Sequence, residues 1–257
     1  MTAEFEPFVQ IAGLIHALTN LADNLGQTTQ EWMEQLQLGL AERSREFAAA
    51  LAEHEKEQAE AFRVLAQGGW VGMERHFTLS QARAVLEIYK TKGEAAMNDA
   101  IADYFNANAC TRISEITDGW SSIPYLQDRQ TIIRDAVSAH REGRFTLSVP
   151  ALLPLVEGLS AEILGNAVRN ENAVKAVARD WKQRESEIWA QVFADVIEHV
   201  VYQRYDFQTD PAPYLSRHFI LHGRTPDYAT RANSVRVFLL IDAIADLWFA
   251  KQKSVSP

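Results

Sequence analysis

The sequence has little of what several classes of protein require. It contains a single cysteine, Cys110, in 257 residues, which excludes a disulfide framework and any cysteine-rich zinc or iron–sulfur site. No apolar run approaches the ~20 residues that cross a bilayer. The first ten residues lack the basic segment that begins a signal peptide. These absences predict a cytoplasmic protein with no membrane partner.

The chain also lacks an excess of positive charge. It has 25 basic and 34 acidic residues and a formal net charge of −9, which argues against a surface-wide attraction to nucleic acid or anionic lipid. The distribution is uneven, since seven of the basic residues but five of the acidic ones lie from Val201 onward. An anionic ligand would find its most favourable field in this C-terminal part.

Alternation typical of strands is almost absent, and helical periodicity runs through nearly the whole sequence. We therefore predict an all-α fold, a bundle of helices. A long helix over about 30–66 is expected to bury a stripe that includes Phe47, and a helix over about 126–140 to bury Ile132, Ile133 and Val137. Turn residues and a proline in GWSSIP (119–124) predict a boundary between a helical N-terminal region, 1–120, and a C-terminal helical domain, 125–257.

Motifs of several enzyme classes are missing too. The sequence has no phosphate-binding glycine loop, no HExxH and no GxSxG. His218 and His222 form the one i, i+4 histidine pair, and Asp227 is a conceivable third zinc ligand. No further carboxylate spacing supports such a site, so we predict neither a metal nor another cofactor.

One segment, RHFILHG at 217–223, carries residues suited to chemistry on RNA. Arg217 supplies a permanent positive charge and a planar donor fork that fits phosphate oxygens. His222, four residues further on, can exchange a proton near neutral pH. Together such groups can cleave RNA without a metal, by removing the 2′-hydroxyl proton and stabilising the charge on the attacked phosphate. DNA lacks that hydroxyl.

The spacing sets a geometric condition on such a site. Five steps along an α-helix rotate by a net ~140° and rise ~7.5 Å, so Arg217 and His222 do not share one narrow face. The two side chains can converge by long reach, or where two copies of the helix meet in a dimer cleft. We favour a homodimer, because it doubles the local positive charge.

A purely structural interpretation stays open for this segment. With 18 arginines and 7 histidines, such an Arg/His spacing arises by chance about once. A second match joins Arg134 and His140, which we expect on the solvated side of their helix. In the structural interpretation residues 219–221 pack into the core, while His222 and Gly223 end the helix.

Beyond the spacing, the segment RHFILHGRTPDYATRANSVRVFLLIDAI resembles the C-terminal signature of HEPN-like proteins. The preceding VPALLPLVEGLSAEI, after AHREGRF, is similar to the helix pair of a prokaryotic HEPN-like group. The resemblance covers about 125–257. It implies a helical, commonly dimeric domain, which in many members is a metal-independent RNase acting as a toxin or in antiphage defence. Arg217 and His222 match the hallmark pair, and His218 matches the polar position after the arginine.

Three further residues are candidates for supporting roles. Glu157, an acid in an apolar helix, can orient an arginine, or it can be a surface acid or a core ion pair. Tyr228 and Asn233 follow the motif and can bind a phosphate or a base. The alternatives are loop packing for Tyr228 and an N-cap role for Asn233.

We therefore predict a metal-independent endoribonuclease. His222 would be the general acid/base, Arg217 would stabilise the phosphate, and His218 would assist. The chief alternative is a non-catalytic interaction module, which the acidic net charge favours. A further one is a dimer whose Arg217/His222 pocket binds a nucleotide without cutting it. RNA and a protein partner or antitoxin are the predicted partners.

Overall fold

The computed structural model describes residues 13–18, 27–165, 171–184, 188–203 and 214–255. These residues form helices and turns with no strand among them, which confirms the all-α prediction. The chain divides into two compact units, Met1–Glu57 and Gln58–Pro257. The division into residues 1–120 and 125–257 stays a prediction, and the expected boundary near 120 lies inside the second unit.

Eleven α-helices are described, and the second unit also contains short 3₁₀ turns at Met73–Arg75 and Trp120–Ser122. The helices are α1 (13–18), α2 (Gln27–Gln67), α3 (Leu79–Lys92), α4 (Glu94–Gly119), α5 (Pro124–Gln127), α6 (Gln130–Arg141), α7 (Phe145–Ile163), α8 (Glu171–Arg184), α9 (Ile188–Val196, continued by a π-helical turn, Ile197–Val201), α10 (Arg217–Leu221) and α11 (Arg231–Val255).

The first unit contains α1 and most of α2. The predicted long helix is present, but the expectation that Phe47 belongs to a buried stripe is wrong, because its side chain is 57% exposed. Leu36 and Leu40, on the same predicted stripe, are half-buried. Periodicity fixes the face on which a side chain lies, but it does not fix how much of that face a neighbour covers.

The core of the second unit is built around α7 and α11. Leu152, Val156 and Leu159 of α7 and Phe238 and Ile241 of α11 are completely buried. α7 also packs against α6 and α8. Such burial of large apolar side chains contributes about 1.5–3 kcal/mol each. The contact between α7 and α11 is the most extensive among the described helix pairs.

α7 departs from the expectation that no apolar run approaches the length needed to cross a bilayer. Among the described helices it is the one long and apolar enough, by length and composition, to cross a bilayer. More than half of it, 56%, is buried inside the unit, and core helices of soluble proteins share this composition.

α6 corrects two further expectations. Ile133 and Val137 are buried as predicted, whereas Ile132 is 42% exposed. His140, expected on the solvated side, is 3% exposed. The buried positions of this helix are 133, 136, 137, 139 and 140. Four of them, 133, 136, 137 and 140, form an i, i+3, i+4, i+7 stripe that includes position 140 and leaves position 132 outside it.

Candidate functional site

The predicted motif forms α10, a five-residue helix with one face in the core. It begins after Ser216, whose hydroxyl accepts a hydrogen bond from the Phe219 N–H at 3.5 Å. Phe219 and Ile220 are each 5% exposed, as the structural interpretation expects, but Leu221, which it also placed in the core, is 37% exposed. Arg217 is partly exposed and His222 is exposed. The packing role and the chemical role are therefore compatible on one helix.

The structure brings Arg217 against Glu157 of α7. The Arg217 Nε donates to Glu157 Oε1 at 2.7 Å, and the two side chains are 24% and 15% exposed. This charge-assisted bond uses the Nε of the guanidinium. The Nη1 and Nη2 groups are the donors that a phosphate would bind. Glu157 is therefore a partner in an ion pair and not a surface acid, and its orienting role stays a prediction.

The two histidines of the motif lie side by side. Their ring centroids are 4.7 Å apart with an angle of 77° between the rings. His222 is exposed and His218 is half-buried. The helix ends at His222, whose N–H donates to the His218 carbonyl at 3.3 Å, and Gly223 follows with φ +65°. This turn presents an imidazole pair at the surface.

Tyr228 and Asn233 have different surroundings. The Tyr228 hydroxyl donates to the Thr146 carbonyl at 3.5 Å, at the start of α7. Asn233 is 2% exposed, and its N–H donates to the Thr230 hydroxyl at 3.1 Å. Thr230 is therefore the N-cap of α11, and the N-cap role considered for Asn233 is wrong. Burial also keeps the Asn233 amide from direct contact with a ligand on the surface.

The histidine pair has no metal-binding geometry in the described part of the chain. No group of three or more His, Cys, Asp or Glu side chains among these residues is arranged to hold a metal ion. Asp227, the conceivable third ligand, is exposed in the loop after α10. The absence of a metal from the reaction stays a prediction.

A buried histidine lies apart from this motif. His140 Nε2 is 2.6 Å from Asn106 Oδ1, and its Nδ1 is 2.8 Å from the Ser234 hydroxyl. An amide oxygen accepts, so Nε2 carries the proton and Nδ1 accepts from Ser234. His140 and Arg231 line an open pocket of about 580 Å³. The periodicity of α6 could have indicated this burial.

Burial makes His140 a source of acid sensitivity. Desolvation, with the charges of Arg231 and Arg141, lowers the pKa of His140 from 6.5 to about 4. The unfolded chain therefore binds a proton that the folded chain excludes between pH 6.5 and 4. We expect the free energy of unfolding to fall by about 3 kcal/mol as the pH is lowered through this range.

Urea unfolding of the wild type and of His140→Gln at pH 7 and at pH 4.5 measures this contribution. The variant should lose less stability than the wild type between the two pH values. An equal loss in both proteins would assign the acid sensitivity to other groups.

Sequence reasoning missed a buried acid in α11. Asp242 accepts hydrogen bonds from Arg75 Nη1 (3.0 Å), His76 Nε2 (3.1 Å) and Trp120 Nε1 (3.0 Å). Burial raises the pKa of this carboxyl, but the bond from His76, the charge of Arg75 and the bond from Trp120 together lower it below its usual value. A lone acid within the apolar run VFLLIDAI is the signal that could have indicated it.

Comparisons of this chain with known protein families, with curated proteins and with solved structures find no match. The arrangement of its own side chains is therefore the basis for a functional conclusion.

Proposed function

We propose that this protein is a metal-independent endoribonuclease of the HEPN type. One observation carries the proposal. Within six residues the RHFILHG segment carries an arginine that is paired with a part-buried carboxylate, and two histidines whose ring centroids are 4.7 Å apart. A positioned cation and side chains that can accept and donate a proton are what transesterification of RNA requires.

The proposed reaction begins at the ribose next to the cleaved bond. His222 removes the proton of the 2′-hydroxyl, and the 2′-oxygen attacks the adjacent phosphorus. The bond from phosphorus to the 5′-oxygen breaks, and in the proposal that oxygen takes up a proton from His218. The products are a 2′,3′-cyclic phosphate and a 5′-hydroxyl.

Arg217 is the electrostatic partner in this scheme. Its ion pair with Glu157 holds the guanidinium in place, and the Nη donors bind the phosphate oxygens as negative charge develops. Because this charge is fixed before the RNA arrives, little reorganisation is needed in the transition state.

The proposal includes a homodimer in which the α10 helices of two copies line one RNA-binding cleft. Two guanidinium groups would then lie in one cleft and raise the local positive charge there, in a chain whose net charge is −9. A toxin or antiphage role in the cytoplasm, held in check by a protein partner or antitoxin, agrees with this activity.

The direct test is cleavage of a labelled structured RNA by the purified protein in EDTA, beside DNA of the same sequence. We expect the RNA to be cut and the DNA to stay intact, because only RNA carries the attacking hydroxyl. Cleavage that disappears in EDTA, or that affects both substrates equally, would contradict the proposal.

A non-catalytic interaction module is the second candidate, favoured by the acidic net charge. A wild-type protein that cuts no RNA but retains a dimeric, folded state would support it. Binding of a mononucleotide without turnover would support the nucleotide-binding form of this alternative.

A further inference from the structure

Arg236 of α11 is a buried cation with an unusual environment. Its side chain is 3% exposed, and burial lowers its pKa to about 10. Among the residues that the structure describes, no carboxylate lies within ion-pair distance of it, although the charge of Glu94 acts on it from further away, and its Nε has no hydrogen-bond partner. Burying a charge without a counter-ion is costly, so the position calls for a physical reason.

The groups in contact with the Arg236 guanidinium are neutral ones, in the place where a carboxylate would usually form an ion pair. Arg236 Nη2 donates to Asn98 Oδ1 of α4 at 2.7 Å, and the same oxygen accepts from Trp70 Nε1 at 2.8 Å. The guanidinium carbon lies 4.4 Å from the ring centroid of Trp70 and 4.5 Å from that of Tyr214. Two aromatic faces and the amide oxygens of Asn98 and, as described next, Asn233 therefore stabilise the cation and fix its orientation.

The other terminal nitrogen of Arg236 connects the guanidinium, through Asn233, to the RHFILHG segment. Arg236 Nη1 donates to Asn233 Oδ1 at 2.9 Å. The Asn233 Nδ2 then donates to the carbonyls of Tyr214, at 2.5 Å, and of Tyr228, at 3.1 Å. Tyr214 precedes α10 and Tyr228 follows it. One buried amide therefore ties together both ends of the segment that carries Arg217, His218 and His222.

We propose that Arg236 is a positioning residue for this site. It acts through Asn233, whose oxygen it holds so that the amide nitrogen faces both flanking carbonyls. The inference rests on the proposed ribonuclease function for its kinetic effect, but the structural effect on α10 is independent of any activity. Loss of the guanidinium donors should release the segment that holds Arg217 and His222. The rate of cleavage should then fall, because displacements of about 1 Å in reacting groups lower rates by up to about a hundredfold.

Arg236→Lys tests this proposal, with Arg134→Lys on the exposed side of α6 as the matched control. Lysine keeps the charge but lacks the planar fork that reaches Asn98 and Asn233 together. We expect kcat for RNA cleavage to fall tenfold or more while KM changes less than threefold. Arg134→Lys should stay within twofold of the wild type.

Amide hydrogen exchange separates positioning from a general loss of stability. In Arg236→Lys we expect exchange of the Ile220 and His222 amides to accelerate at least tenfold more than exchange in α6. Equal acceleration in α10 and α6, or a kcat within twofold of the wild type, would overturn the proposal. If the wild type cuts no RNA, the proposed function fails, and the exchange comparison alone decides the positioning role.

A second pair of variants covers the case in which Arg236→Lys does not fold. Asn98→Asp keeps an oxygen acceptor for Arg236, whereas Asn98→Leu removes it. We expect Asn98→Leu to reproduce the fast exchange in α10 and Asn98→Asp to retain the slow exchange. Identical behaviour of the two variants would contradict the proposal.

Discussion

His222→Ala is expected to lower the rate of RNA cleavage by about 10²- to 10⁴-fold, the range for removal of a general acid or base. The physical reason is that His222 is the exposed imidazole at the end of α10 and, in the proposed reaction, takes the 2′-hydroxyl proton. Its ring makes no part of the buried core, so the fold should survive the change. Initial rates on labelled RNA in EDTA measure the effect.

His199→Ala is the matched control, because His199 is also an exposed histidine near the end of a helix. It should cleave RNA at the wild-type rate. His218→Ala should have a smaller effect than His222→Ala, since its proposed role is to assist. Equal cleavage by the wild type and His222→Ala would remove His222 from the mechanism.

Arg217→Ala is expected to lower cleavage by about 10²- to 10³-fold, as removal of one preorganised donor to a developing negative charge does elsewhere. Arg217→Lys should recover part of this loss at most, because an ammonium lacks the planar, paired donors with which a guanidinium binds two phosphate oxygens while it bonds Glu157. The measurement is kcat on RNA for both variants. Melting temperatures check that each one is folded.

The ion pair between Arg217 and Glu157 allows a second, independent test of the proposed role of Arg217. Glu157→Ala leaves the Arg217 guanidinium without its 2.7 Å partner, which should destabilise the protein by about 1–3 kcal/mol and lower cleavage. Glu157→Gln keeps an acceptor oxygen and should lose less of both. Arg217→Ala combined with Glu157→Ala should be no slower than Arg217→Ala alone. Fully additive losses would show that Glu157 acts apart from Arg217.

The sequence was sufficient to predict the all-α fold class and the short helix that carries the RHFILHG segment. Helical periodicity is a local property, so the long helix α2 and the stripe of Ile133 and Val137 could be predicted. Phe47 and Ile132 could not, because their exposure depends on which neighbours pack against α2 and α6. Burial is a tertiary property that the period of a helix indicates without determining.

The candidate site likewise contains residues that could be predicted from the sequence and contacts that could not. Arg217, His218 and His222 lie within six consecutive residues, so their spacing could be read from the sequence. The distance from Arg217 to Glu157 spans sixty residues, and the acid could be suspected only because it interrupts an apolar helix. The network from Arg236 through Asn233 has no local signature, since its acceptors come from α4 and from carbonyls on both sides of α10.

The chemistry of the cleaved ends tests the central claim most directly. Cleavage sites are first mapped on a labelled RNA in EDTA, and the RNA is then remade with a single 2′-deoxy nucleotide at one mapped site. The account predicts 2′,3′-cyclic phosphate and 5′-hydroxyl ends on the unmodified RNA, and loss of cutting at the deoxy position with the other sites unaffected. Continued cutting at the deoxy position, or products with 3′-hydroxyl and 5′-phosphate ends, would contradict it.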